Sequence, residues 1–166
     1  DETLESYGVA NVEEFTWKQL FDTDACIRCG RCQDSCPAYL TQKPLSPKKL
    51  VQDIKGALWE KAPALIDAQK QVDQTTGEAE TAATVEEVEG QALIGEAVQE
   101  DEIWACTTCK ACMEHCPVYV EHIPKTIDMR RNMVLMEANF PVEVQTTFRN
   151  MENNGNPWGV GWSDRA

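Results

Sequence analysis

Eight cysteines carry the chemistry open to this chain, and they fall into two copies of one tight run. The first is Cys26-x2-Cys29-x2-Cys32-x3-Cys36-Pro37; the second is Cys106-x2-Cys109-x2-Cys112-x3-Cys116-Pro117. No cysteine lies outside them. A cubane iron–sulfur cluster takes one thiolate on each iron, and proline-closed runs of this spacing are the ligand pattern of proteins that hold two such clusters. The expected cofactors are therefore two [4Fe–4S] clusters, and the expected chemistry is electron transfer. Zinc also takes four thiolates, but its structural sites usually pair two short knuckles across a longer loop. Three cysteines within seven residues, with a fourth four positions on, wrap a bulky cube better than they close a tetrahedron around one ion. A disulfide framework suits a small secreted domain that lacks a core. This chain has 166 residues, 42% of them hydrophobic, and no secretory h-region.

The bulk numbers narrow the function further. The length suits one domain of ordinary size. No window approaches 18 uninterrupted apolar residues, so no direct membrane span is expected. Fifteen Lys and Arg against 28 Asp and Glu leave a net charge of -13, and each oxidised cluster with its thiolates adds about −2. Such a chain repels nucleic acid, whose affinity comes from neutralised phosphates. Thiolates and clusters point to a reducing, cytoplasmic compartment. The charge is uneven: ten acidic residues and no Lys or Arg lie between Gln71 and Ile103. This acidic insert, about 71–103, reads as a solvated face, or alternatively as a docking surface for a basic partner. Arg28, Arg31, Lys43, Lys48, Lys49 and Lys55 gather around the first run and the segment after it. Positive charge there stabilises an added electron and raises a cluster's potential.

The elements that must position the cysteines read as helices. Residues 1–14 are acidic and aperiodic, an arm before a domain spanning 15–157. Thr16 caps a short helix with Trp17, Leu20 and Phe21 at buried-stripe spacing, and that helix delivers the chain into Cys26. Gly30 allows close backbone approach to a cluster. Ser46-Pro47 starts a helix with Leu50, Val51, Ile54, Ala57 and Leu58 on one face, which Pro63 is expected to stop. A shorter helix follows to about Val72, then a loop over 73–84 and a weaker acidic helix from Val85 to Val98. Asp101 caps the turn carrying Ile103 and Trp104 into Cys106. Pro124 opens a helix bearing Ile127, Val134 and Ala138, with Met129, Met133 and Met136 beside them. Pro141 opens another, ended by Asn154-Gly155-Asn156-Pro157. No convincing alternating strand is present. The cysteine runs thus form an internal repeat about 80 residues apart, embedded in helices, and the fold expected is all-α. Trp158, Trp162 and their glycines make a poor free tail, so residues 158–166 are expected to lead on into a longer parent polypeptide.

Several runs carry a resemblance. They include Trp17-Lys18-Gln19-Leu20, Cys26-Ile27-Arg28-Cys29-Gly30-Arg31-Cys32, Pro44-Leu45-Ser46-Pro47-Lys48-Lys49-Leu50 and Ile103-Trp104-Ala105-Cys106-Thr107-Thr108-Cys109. Cys116-Pro117-Val118-Tyr119-Val120-Glu121-His122-Ile123-Pro124-Lys125 and Asp128-Met129-Arg130-Arg131 extend it. From about Phe15 to Trp158 the chain resembles the iron–sulfur region of heterodisulfide-reductase-like (Fe–S) reductases, a group that includes oxidoreductases linking electron-transfer flavoprotein to menaquinone. The resemblance implies an α-helical ferredoxin domain with two [4Fe–4S] clusters, similar to the iron–sulfur subunit of succinate dehydrogenase. It implies partners within a redox complex: a flavoprotein, a cytochrome-b-like membrane part and a CCG-type reductase domain, with the module at the cytoplasmic face of the membrane through its parent. No Cys-Cys pair occurs here, so the catalytic cluster of heterodisulfide reductases cannot be built from this chain alone.

Two-cluster ferredoxins cross their ligands, the fourth cysteine of each run serving the other cluster. By that resemblance Cys26, Cys29, Cys32 and Cys116 hold one cluster, and Cys106, Cys109, Cys112 and Cys36 the other. His115, and similarly His122, is a candidate for tuning a cluster by hydrogen bond, although exposure, packing or holding a turn is the plainer role. The methionines read as core filler, and Trp104 as shielding that keeps water from a cluster. No Ser/His/Asp set, phosphate loop or carboxylate pair emerges, so the chain is not expected to be catalytic alone. The reading is a module passing single electrons between a flavin, haem or quinone partner and a separate catalytic site. The alternative is a zinc-stapled docking domain without a redox role.

Overall fold

The computed structural model describes residues 6–75 and 91–164. Most of the acidic insert, including the expected loop and much of the expected helix from Val85, lies outside them. Eight α-helices are named here: α1 Trp17–Ala25, α2 Arg31–Asp34, α3 Pro37–Leu40, α4 Pro47–Thr75, α5 Glu100–Trp104, α6 Ala111–Glu114, α7 His122–Leu135 and α8 Val142–Asn154. No strand is formed among the described residues, only an isolated bridge between Ile94 and Val98. The all-α architecture expected from the sequence is the one observed.

Local chemistry explains the starts and stops. Thr16 and Gln19 form a capping box that opens α1, satisfying amides that have no partner inside the helix. Ser46 Oγ accepts from the Lys49 amide at 3.2 Å and so begins α4. Gly155 closes α8 in the left-handed conformation at φ 63°, where a side chain would be strained. Pro63 does not stop α4, which runs on through it. Its ring sits on an exposed face, where water can satisfy the carbonyl that loses its amide donor.

The core joins the repeats. Leu50 and Ile54 of α4 pack with Ile103 of α5, Met129 and Met133 of α7, and Leu93 and Val98 from the turns before α5. Met129 and Met133 are fully buried, whereas Met136 is half exposed. Val9, Val12 and Phe15 join the same core, so residues just before α1 dock against it. The Val9 amide donates to the Asp128 carbonyl, and a Cβ on Gly8 would collide with the backbone of Asp128 and Asn132. Only glycine permits that approach. α2 and α6, the one-turn helices inside the two cysteine runs, pack against each other. Among the described residues no helix is long and apolar enough to cross a membrane.

Candidate iron–sulfur centre

Both runs bend the backbone in the same way. Arg28 and Thr108 take φ 57° and 55°, and Gly30 and Lys110 take φ 87° and 66°. Alternating left-handed residues turn successive amides toward one side, the nest geometry that receives anions. Each left-handed residue at 30 and 110 then serves as the N-cap of a one-turn helix carrying the third cysteine. Cys36 caps α3 with Pro37 as its first residue, so the chain turns away immediately after the fourth cysteine.

The thiols gather in two groups that mix the runs. A small cavity is lined by Cys26, Cys29, Cys32 and Cys116, together with Lys48 and His122. Burial and then the charges of Cys26, Cys116 and Cys29 push the Cys32 thiol up to about 11. Burial and then Cys106, Cys32, Cys36 and Cys109 push Cys112 up to about 12. Cys116 thus lines one cavity with the first three cysteines, while both Cys32 and Cys36 of the first run lie near enough to Cys112 for their charges to bear on it. Cys32 and Cys112 share one packed cluster with Ile123, which sets the two groups side by side.

These groups fit iron–sulfur cubanes. All eight cysteines are free thiols, and four crowded thiolates repel one another unless a polycationic core lies between them. Among the described residues no three metal-ligating side chains converge tightly enough for a single ion; tetrahedral zinc would draw its sulfurs to about 3.8 Å from one another. Donors to sulfur are in place. The Thr108 amide reaches Cys106 Sγ at 3.4 Å, the Val120 amide reaches Cys116 Sγ at 3.2 Å, and Gln52 Nε2 reaches Cys26 Sγ at 3.5 Å.

Three supporting residues were not singled out by the sequence. Gln52 is one of them: α4 lays it against Cys26 from a distant segment. Arg130 of α7 is another; it donates to the carbonyls of Ile103 and Cys106 at 2.6 Å while its guanidinium lies over the Trp104 ring. It thereby closes the end of α5 and fixes the entry to Cys106. The third is Asp22, which accepts from Lys125 Nζ at 2.7 Å and from the Glu121 amide at 3.1 Å, with Lys18 paired at 3.0 Å. Burial opposes its charge, but the bonds from Lys125 and Lys18 hold its carboxyl below the usual range. That hub ties α1, which leads into Cys26, to α7, which follows Cys116.

The other candidates separate. His115 is exposed, with Nδ1 against the Ala111 carbonyl at 2.9 Å. His122 is buried on the first cavity, and its Nδ1 has no hydrogen-bond partner among the described residues; burial and Lys125 push it down to about 4, so it is neutral. The sequence offered no signal separating these histidines, because both lie near the second run.

Comparison with known proteins sets this geometry among relatives. The family described as 4Fe-4S dicluster domain matches residues 22–120. The chain is 50% identical over 169 residues to the EtfAB:quinone oxidoreductase of Syntrophomonas wolfei, covering 99% of this chain and 24% of that protein. It is 39% identical over 181 residues to the probable iron-sulfur-binding oxidoreductase FadF of Bacillus subtilis, covering 99% of this chain and 25% of the relative. It is also 38% identical over 131 residues to subunit C2 of the H(2)/formate:CoB-CoM heterodisulfide,ferredoxin reductase of Methanococcus maripaludis, covering 74% of this chain and 46% of that subunit. The chain therefore spans about a quarter of the length of the first two relatives.

Proposed function

Because the chain belongs to the 4Fe-4S dicluster family, we propose that it is the electron wire of a larger oxidoreductase, passing single electrons between a flavin, haem or quinone partner and a catalytic site elsewhere. The observation that carries this reading is the gathering of eight free thiols into two adjacent groups. We assign Cys26, Cys29, Cys32 and Cys116 to one cluster and Cys106, Cys109, Cys112 and Cys36 to the other. When bound, each cluster takes up and gives back one electron at a time. The chain's own residues set the conditions. The nests at 28–30 and 108–110 present amides, and Arg130 and the Asp22 hub hold the runs in place. Likeness to proteins named for EtfAB and quinone, and for a heterodisulfide, supports a place in a larger redox complex; the partners proposed there are a flavoprotein, a cytochrome-b-like membrane part and a CCG-type reductase domain, at the cytoplasmic face of a membrane.

Purification without oxygen, with iron and acid-labile sulfide assayed, tests the reading. About eight of each per chain, with interacting paramagnetic signals on reduction, is the expected result. One or two zinc ions without sulfide would replace it by a zinc-stapled docking domain. Within a loaded chain, Gln52→Leu removes a donor from the Cys26 thiolate. It is expected to lower the first cluster's potential by up to about 60 mV, the one-electron equivalent of a tenfold change. An EPR-monitored potentiometric titration reads this, and equal potentials in variant and parent would exclude a tuning role for Gln52.

A further inference from the structure

Resting on the two-cluster reading, we infer that the surface around Cys29 is a docking face for a small acidic redox protein. Cys29 is an exposed thiol of the first run, as Cys109 is of the second, so an electron leaving at Cys29 has a short way to solvent. Most lysines on neighbouring helices are already neutralised. Lys18 pairs with Asp22 and Glu121, Lys49 with Asp53 and Glu102, and Lys55 with Asp24. Arg28, Arg31 and Lys48 form no ion pair among the described residues, although the chain carries a net charge of -13. Arg28 and Lys48 line the same cavity as Cys29, and Arg31 begins α2 two residues later. Asp34, at the far end of α2, is the only acidic residue between Cys26 and Cys36.

These three cations offset the charge of about −2 that an oxidised cluster brings with its thiolates, so on a molecule of net charge -13 this face is close to neutral and offers partners for carboxylates at short range. At about 0.1 M salt, screening beyond about 10 Å leaves the local field in control. The centre of the patch is apolar. Ile27 is 61% exposed, and Tyr119, between cavity residues Val118 and Val120, is 82% exposed. An apolar centre inside a charged rim is the build of a transient protein interface, and the rim's sign selects a partner with carboxylates. The second run sets a single cation, Lys110, beside its exposed Cys109, with Thr107 and Thr108 before it, against the three cations around Cys29.

The test uses the anaerobically purified chain and an acidic flavodoxin as probe. A carbodiimide joins a lysine Nζ to a carboxylate with loss of water, and peptide mapping locates the link. The link is expected at Lys48. Arg28→Gln/Arg31→Gln should lower its yield at least about fivefold at ~0.1 M salt, while Lys70→Gln/Arg149→Gln, an equal charge loss elsewhere, leaves it unchanged. In parallel, the Arg28→Gln/Arg31→Gln variant should be oxidised about threefold more slowly by anionic cobalt(III)–EDTA and faster by cationic hexaamminecobalt(III). Arg28→Lys/Arg31→Lys should restore both. If the glutamine pair loses iron, Lys48→Gln, which alters neither run, carries the rate comparison. Links scattered over other lysines, or equal effects of both double variants, overturn the docking face. Anionic phospholipid vesicles binding in an Arg28/Arg31-dependent way while flavodoxin does not would overturn it in favour of a membrane. Iron and sulfide far below eight in the parent chain would instead remove the two-cluster reading itself.

Discussion

Cys116→Ala is expected to erase the cluster held by Cys26, Cys29 and Cys32, although it lies in the other run. Its EPR spectrum should match that of Cys29→Ala, with iron falling from about eight to about four per chain or the cluster surviving only as a species short of one iron. Cys36→Ala should in turn reproduce Cys109→Ala. The physical reason is proximity: Cys116 lines the cavity of the first three thiols, while Cys36 stands among the charges felt by Cys112. Loss of the Cys109-type signal in Cys116→Ala would sink the crossed assignment. Crossing also makes each cluster a tie between segments far apart in sequence, so each of these variants should lose stability as well as a signal.

The second large effect belongs to Lys125. Its side chain is fully buried against Asp22, and removing one member of a buried pair leaves an uncompensated charge. Lys125→Met is expected to cost about 3–5 kcal/mol, read by anaerobic thermal or denaturant unfolding. Lys18, which is partly exposed and also bonded to Asp22, offsets little of this, because exposed pairs contribute only about 0–1 kcal/mol. Asp22→Leu/Lys125→Met should recover much of the loss, since it buries no charge. The hub ties α1 to α7, so the single variant should lose the first cluster before the second on heating. Equal stability of single variant and parent would show that water reaches the site.

How much of this was legible beforehand follows from the range of each interaction. Cluster type and number were readable because ligand spacing is local: a turn of seven residues decides whether three sulfurs can face one cube. The caps at Thr16 and Ser46 were readable for the same reason, each being a hydrogen bond across three residues. Pro63 misled because the cost of proline in a helix depends on whether the freed carbonyl meets water, and exposure is not encoded locally. Val9 and Val12 passed for an arm because two valines among acidic residues show no period, and the core shared by α4 and α7 gives them their place.

The residues alone therefore determined an all-helical protein with eight thiolates in two cluster-binding runs. Only the tertiary structure decided that Cys116 lines a cavity with Cys26, Cys29 and Cys32, that Gln52 reaches Cys26, that His122 rather than His115 lines that cavity, and which cations stay unpaired. Those facts depend on distances between segments up to a hundred residues apart, as in the Asp22–Lys125 bond with its separation of 103. Spacing along a chain sets such distances only after the core has packed.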